Sequence, residues 1–261
     1  MTDMHTQHNL NKIKEIVFCN EMMSFEKKQF LKNNSYIFMK NAGRTVFQFI
    51  RKKFDNNQPI IVLCGPGNNG GDGFVIAKCL KDHGYPIDVY ILSNEQDYKG
   101  DALTAVKEFG KDFKKIGSFQ LKKNALIVDA LFGIGLTRNI KGILIKIFNK
   151  INNSNNRVVS VDIPSGVCSN TGEILGSAIK ADFTITFHRK KVGHVLGSGK
   201  KFSGKLIVVD IGFTQGKMKT RCLENSPSLW IKYFSWKKPS GHKYSRGRSV
   251  VYGGQKEFTG A

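Results

Sequence analysis

Between Ile60 and Leu80 a β-branched run passes into a stretch of helical period through Cys64-Gly65-Pro66-Gly67-Asn68-Asn69-Gly70-Gly71-Asp72-Gly73-Phe74. Ile60 to Leu63 follow Pro59 as a short strand, and Phe74, Val75, Ala77, Lys78 and Leu80 alternate apolar and polar positions as a helix does. The segment between them carries almost no side-chain bulk, so it reads as a phosphate-binding loop. Its glycines allow positive φ and let backbone amides approach an anion at the helix N-terminus. Asn68, Asn69 and Asp72 add oxygens that a plain phosphate loop does not need, suited to a cation, ribose hydroxyls or a polar ring. The spacing is not G-x-G-x-x-G, and no Gly-Lys-Ser/Thr follows as in a Walker loop. On the loop alone, a glycine-rich turn without a ligand stays open.

The rest of the chain repeats the alternation. Strands are expected at Pro86 to Leu92, Ala125 to Leu131, Val158 to Ile163, Phe183 to Phe187 and Leu206 to Ile211, and helices at Lys99 to Gly110 and Gly142 to Ile151. Ser35 to Lys53 reads as a further helix whose Phe38, Met39, Ala42, Val46, Phe49 and Ile50 are core rather than a cofactor box. Apolar strands alternating with helices predict an α/β fold, with a mostly parallel sheet covered on both faces. Ligands then bind beyond the carboxyl ends of the strands, where Asn68 to Asp72, Asp129 to Arg138 and Asp162 to Ser165 fall.

Composition narrows the class. The formal charge of +21 invites a nucleic-acid partner, but the lysines are spread along the chain without an arginine-rich or aromatic-interleaved tract. A solvated lysine-rich surface is the expectation, with nucleic acid unlikely as a partner. Cysteines 19, 64, 79, 168 and 222 are odd in number and lack a Cys-x-x-Cys pair, so they read as reduced thiols, several of them in the core. Met1 to Asn11 has no apolar h-region and no later run is long enough to span a bilayer, so no membrane partner and a cytoplasmic location are expected.

Three stretches agree on a family. Gly65 to Gly73, Val128-Asp129-Ala130-Leu131-Phe132-Gly133-Ile134-Gly135-Leu136, and Val161-Asp162-Ile163-Pro164-Ser165-Gly166-Val167 together resemble the NAD(P)H-hydrate epimerase family, also called the YjeF N-terminal domain. Phe38 to Arg44 resembles its N-terminal helix, and Thr171-Gly172 and Ala181 to Phe187 follow in the family's order. The resemblance implies a Rossmann-like three-layer α/β/α sandwich over 1–213. It implies an enzyme that interconverts the R and S forms of hydrated NADH and NADPH (NADHX and NADPHX) in cofactor repair.

Carried over position by position, the family pattern sets the substrate against Asn68, Asn69, Gly70, Gly71 and Asp72, against Gly133, Ile134, Gly135, Leu136, Thr137, Arg138 and Asn139, and at Asp162. A potassium ion (K+) is implied at Asn69, Asp129 and Ser165. Asp162 is the expected acid/base and Lys191 an electrostatic helper. Two plainer assignments compete: Asp129 as a helix-capping carboxylate, and Lys191 as one more solvated lysine of Arg189-Lys190-Lys191. The family usually follows that lysine with Pro-Gly, where this chain has Val192-Gly193. A homodimer is the expected assembly.

Residues 214–239 read as a connector. His242 to Gly247, Gly253-Gly254 and Phe258 to Ala261 resemble the opening of an ADP- or ATP-dependent NAD(P)H-hydrate dehydratase domain, with a ribokinase-like fold, so 240–261 reads as its incomplete start, without dehydratase activity. The competing function is a non-catalytic ligand- or RNA-binding module on the same fold. Asp129, Asp162 and Ser165 together favour catalysis, because a scaffold has no need of that oxygen cluster.

Overall fold

The structure is a computed structural model that describes residues 15–214, 218, 220–233, 248 and 250. A short strand β1 (Glu15–Val17) leads into α1 (Cys19–Phe30) and α2 (Ser35–Lys53). Then β2 (Ile60–Cys64), α3 (Asn68–Asp82), β3 (Ile87–Ile91), α4 (Gly100–Phe109), β4 (Lys114–Lys115), β5 (Leu126–Ala130), α5 (Ile143–Asn152) and β6 (Val158–Val161) follow, alternating as the periodicity predicts except for the two-lysine strand β4, which no apolar period announced. They are followed by β7 (Phe183–Phe187), β8 (Lys190–Lys191), α6 (Gly197–Phe202), β9 (Lys205–Val209) and β10 (Cys222–Leu223). The expected strand and helix limits shift by a residue or two at most ends, because patterns locate cores better than caps.

Seven strands form one parallel sheet in the order β4-β3-β2-β5-β6-β7-β9. Alternation within β2 sets the layers. Ile60, Val62 and Cys64 pack with α2, α3 and α4, whereas Ile61 and Leu63 join Leu144, Ile147, Phe148 and Ile151 of α5 on the opposite face. This is the three-layer α/β/α sandwich. From β2 the chain moves outward to β3 on one side and returns to β5 on the other, so the order reverses between β2 and β5. Their last residues, Cys64 and Ala130, are paired there, and a crevice opens beyond such a reversal.

The glycine-rich segment departs from expectation in a useful way. Helix α3 already begins at Asn68, with Gly67 as N-cap, so Asn69 to Asp72 belong to its first turns. None of Gly65, Gly67, Gly70, Gly71 and Gly73 has positive φ. Close packing, rather than a left-handed turn, is what requires glycine. A Cβ on Gly65 would meet the Leu131 carbonyl oxygen at 1.7 Å, and one on Gly70 would meet the Gly65 carbonyl oxygen at 1.7 Å. Gly65→Ala is therefore expected to destabilise the fold by about 3 kcal/mol or more. Gly67→Ser, at an N-cap with nothing within 4 Å, should stay within about 1 kcal/mol of wild type. Urea midpoints of the two variants check the pair.

A second, three-stranded sheet in the order β10-β1-β8 was not foreseen. Val17 pairs with Lys191 in parallel, and Ile16 with Cys222 in antiparallel register. Buried Arg189 binds Glu15 at 2.6 Å beside it. Strands of two or three residues show no periodicity, so only long-range pairing defines them. The chain divides into two units at Glu224. Buried Met218 and strand β10 carry the first unit beyond 213, so the segment read as a connector starts inside it. In the second unit, Pro227–Trp230 forms one helical turn, α7, with proline in its first turn. The tail read as a dehydratase start, 240–261, lies outside the described residues apart from two positions.

All five cysteines are free thiols, but only Cys64 is buried, which corrects the expectation that several are core residues. Among the described residues no helix is long and apolar enough to cross a membrane.

Candidate active site at the sheet reversal

A pocket of about 600 Å³ opens where β2 and β5 end, a size typical of small-molecule sites. Asn68, Asn69, Asp72, Gly133, Ile134, Gly135, Leu136, Thr137, Arg138 and Asp162 all line it. Three distant stretches of sequence thus meet at one crevice. Gly70, Gly71 and Asn139 do not line it: the two glycines are buried in α3 against Gly65 and Met39, and Asn139 is exposed outside. Phe38 and Met39 serve both as core and as pocket wall.

Asp162 follows the last residue of β6 with φ at +62°, one of few non-glycine residues in that region. The Ile163 amide donates to the Val161 carbonyl at 2.8 Å and closes the tight turn around it. Such strain persists where surrounding bonds over-determine it, and here they do. Lys191 Nζ donates to Asp162 Oδ1 at 2.6 Å, to Thr186 Oγ1 at 2.9 Å and to the Phe187 carbonyl at 3.0 Å. Thr186 Oγ1 donates to the same Asp162 oxygen at 2.9 Å. Among the described residues every bond to this carboxylate goes to Oδ1, which leaves Oδ2 for the pocket.

Lys191 is only 1% exposed, so it is no solvated surface lysine. Burial alone would raise the Asp162 pKa, but the Lys191 charge and hydrogen bond, helped by the Thr186 hydroxyl, hold it below the ordinary carboxylate range. His194 Nδ1 accepts from the Lys191 amide at 3.0 Å and its Nε2 donates to the Asp162 carbonyl at 2.8 Å. Burial, with Lys191 next, lowers its pKa to about 4, so it orients the turn as a neutral ring. The Val192-Gly193 departure leaves Lys191 in place because Gly193, where a Cβ would lie 2.2 Å from the Cys168 carbonyl oxygen, still packs against Cys168 and Ser169.

Asp129 is fully buried and caps no helix, α5 starting only at Ile143. It accepts from Ser160 Oγ at 2.8 Å, Ser165 N at 2.8 Å and Ser165 Oγ at 2.5 Å. Burial raises its pKa against the pull of these donors, and among the described residues it has no ion pair. Asn69 is buried with both amide atoms unpartnered, next to Gly133. A buried carboxylate without a cation, a serine hydroxyl and an orphaned amide fit a monovalent ion. No cluster of three His, Cys, Asp or Glu among the described residues would suit a transition metal.

Sequence reasoning missed Glu26. Helix α1 buries Met22, Phe25 and Gln29 on one stripe and turns Met23, Glu26 and Phe30 into the pocket on the next. The i, i+3, i+7 spacing of Met22, Phe25 and Gln29 and the glutamate Glu21 in the first turn, whose carboxylate accepts from the Phe18 amide at 2.9 Å in the structure, were the signals the sequence offered for this helix. Burial lifts the Asp72 pKa well above its usual value, with Asp162 and Glu26 adding to the effect.

The sheet order, the pocket at its reversal and a buried Lys-Asp pair facing it define a Rossmann-like α/β protein with a small-molecule site. Comparison with known proteins narrows this class. The profile of the family described as YjeF-related protein N-terminus matches residues 35–193, and the chain belongs to that family. It is 34% identical over 244 residues to the bifunctional NAD(P)H-hydrate repair enzyme Nnr of Moorella thermoacetica, covering 87% of this chain and 46% of that protein. It is 35% identical over 185 residues to the NAD(P)H-hydrate epimerase of Lentilactobacillus buchneri, covering 70% of this chain and 86% of that one. The crystal structure of yeast ynu0 superposes with a TM-score of 0.61 at 21% identity, over 80% of this chain and 98% of that chain, which supports the fold. The chain spans a little under half the length of the bifunctional relatives.

Proposed function

We propose that the protein is an NAD(P)H-hydrate epimerase, interconverting the R and S forms of NADHX and NADPHX at C6 of the hydrated nicotinamide ring. The observation that carries this is the Lys191–Asp162 pair at the pocket, an ionised carboxylate with one oxygen held and one open. C6 bears both a hydroxyl and the ring nitrogen, so nitrogen assists loss of the hydroxyl and leaves a planar iminium that water attacks from either face. Asp162 Oδ2 takes the proton of the incoming water and returns one to a departing hydroxyl. Lys191 stabilises the carboxylate between these steps. Apolar walls from Phe38, Phe187 and Phe213 keep other nucleophiles out. The N-terminus of α3 and the turn Gly133 to Arg138 offer amides and a guanidinium to the substrate's phosphates.

Asn69, Asp129 and Ser165 would hold potassium, which supplies a positive charge against the buried Asp129 and ties the turns after β5 and β6 together. Melting curves test this without turnover. Potassium at tenfold its Kd adds about 1.4 kcal/mol, so replacing choline with potassium at equal ionic strength should raise Tm by a few degrees. Asn69→Ala should lose most of that rise, and equal melting in both salts would remove the ion from the site.

The same proposal makes the protein a cytoplasmic one, in keeping with five free thiols, with a small-molecule substrate in preference to nucleic acid. The homodimer follows from the family resemblance and is checked by light scattering. The central experiment supplies purified protein with the pure R-epimer and follows appearance of S by chromatography. A binding module would hold the substrate and leave the epimer ratio at its uncatalysed course.

A further inference from the structure

A hydroxyl that leaves one face of a planar iminium and a water that adds to the other present their protons on opposite sides of the ring. One carboxylate reaches both only if something moves. Four carboxyls line the pocket, Asp162, Asp72, Glu26 and Asp101; the first three act on one another and on a single ammonium, Lys191, which is bound to Asp162 at 2.6 Å. His194 supplies no second charge, since both ring nitrogens are used in backbone hydrogen bonds. Three mutually repelling carboxyls around one cation that is already paired to Asp162 favour retention of a proton on Asp72 and Glu26. Asp72 is buried in the second turn of α3. Glu26 is partly buried on the pocket stripe of α1, and among the described residues no hydrogen bond or ion pair engages its carboxyl.

We propose that Glu26 is the second acid/base of this site, protonating the hydroxyl that leaves one face of C6 while Asp162 deprotonates the water that adds to the other. The inference rests on the epimerase reading. The C6–O bond breaks as the Glu26 proton moves to its oxygen, water departs and the nitrogen lone pair forms the C=N bond. A water oxygen then bonds to C6, its proton goes to Asp162 and the electron pair returns to nitrogen. The hydroxyl has changed faces, Glu26 is anionic and Asp162 neutral. The reverse reaction uses this second state, and proton exchange with solvent restores the first.

The electrostatics agree with an acid that keeps its proton up to the neutral range. Burial, moderated by Lys191 and reinforced by Asp162, raises the Glu26 pKa to about 7. The groups facing it are Asp162 after β6, Lys191 of β8 and Asp72 of α3, with Cys19 on its own helix. Asp101 and Arg138 line the same pocket, and the adjoining Lys27 and Lys28 are exposed. R-to-S turnover should therefore fall as pH rises through about 7, and at the acid end as pH falls through the depressed pKa of Asp162.

The test measures kcat against pH for wild type, Glu26→Gln and Glu26→Asp, with affinity for intact NADH as a check on the pocket. Glu26→Gln is expected to lower kcat about 10²-fold, abolish the alkaline limb and leave NADH affinity within twofold. Glu26→Asp should recover part of the rate with a displaced limb. Wild-type kcat and an unchanged limb in a folded Glu26→Gln would overturn the role while leaving the epimerase reading intact. If that variant does not fold, Glu26→Asp decides: a displaced limb supports the role, and wild-type kcat with an unmoved limb overturns it. Failure of the wild type itself to convert the R-epimer would remove the epimerase reading and this inference with it.

Discussion

Replacing Asp162 with Asn should slow R-to-S conversion by about 10²- to 10⁴-fold while the protein stays folded. The range is what a positioned proton-transfer group contributes. Asn is the informative substitution because the site imposes φ of +62°, a region that Asn and Asp enter more readily than other side chains. Alanine would add backbone strain to the lost chemistry. The Asn oxygen can still accept from Lys191 Nζ and Thr186 Oγ1, so the turn keeps its hydrogen bonds, although the buried Lys191 ammonium loses its counter-charge and stability falls. Single-turnover measurement with the pure R-epimer, alongside circular dichroism, gives the result. A folded Asp162→Asn protein with wild-type turnover would end the acid/base assignment.

Lys191→Met should be the most damaging change to stability, about 3–5 kcal/mol at neutral pH, the cost of leaving a buried charge without its partner. Methionine fills much of the volume, so the loss is electrostatic rather than a cavity. The sign of the pH dependence follows from Asp162. In the wild type its folded pKa is depressed, so its contribution is present above the unfolded carboxylate pKa and is lost as pH falls through the folded one. Without Lys191, burial becomes the dominant influence and the folded pKa rises above the unfolded value. The carboxylate then destabilises the fold at neutral pH, and protonation relieves it on acidification. Urea unfolding at pH 7 and pH 5 should show the gap between variant and wild type narrowing in acid. A gap that widens there would mean that Lys191 does not set the charge of Asp162.

Much of the sheet was legible because strand and helix periods are local. Ile60 to Leu63 and Leu126 to Val128 are apolar at every position, which only a strand covered on both faces requires, and helices do cover both faces of the sheet there. The clusters after β2, β5 and β6 could be placed at one end of the sheet from strand direction alone, and they do meet at one pocket. Where contacts cross long separations the sequence was silent. Helix α1 has few apolar residues in Cys19–Phe30 and is held by partners such as Asn170, whose side chain accepts from the Cys19 amide at 2.8 Å. Glu26 could not be recognised as a pocket residue without that placement.

The glycines of the first loop show the same division. Their presence announced a tight passage from strand to helix, but positive φ and close approach call for the same residue, and only the neighbouring Leu131 carbonyl shows which applies at Gly65. Lys191 was one of three consecutive basic residues by sequence. Its partner Asp162 lies 29 positions earlier, and the pairing of β8 with β1 holds the segment that carries it. The order of strands, the doubly covered sheet and the three loops were determined by local pattern and backbone chemistry. Burial, charge state and the identity of each ionisable group's neighbour were decided by the tertiary structure, because desolvation and Coulomb energy depend on distances through space that the chain's own order does not contain.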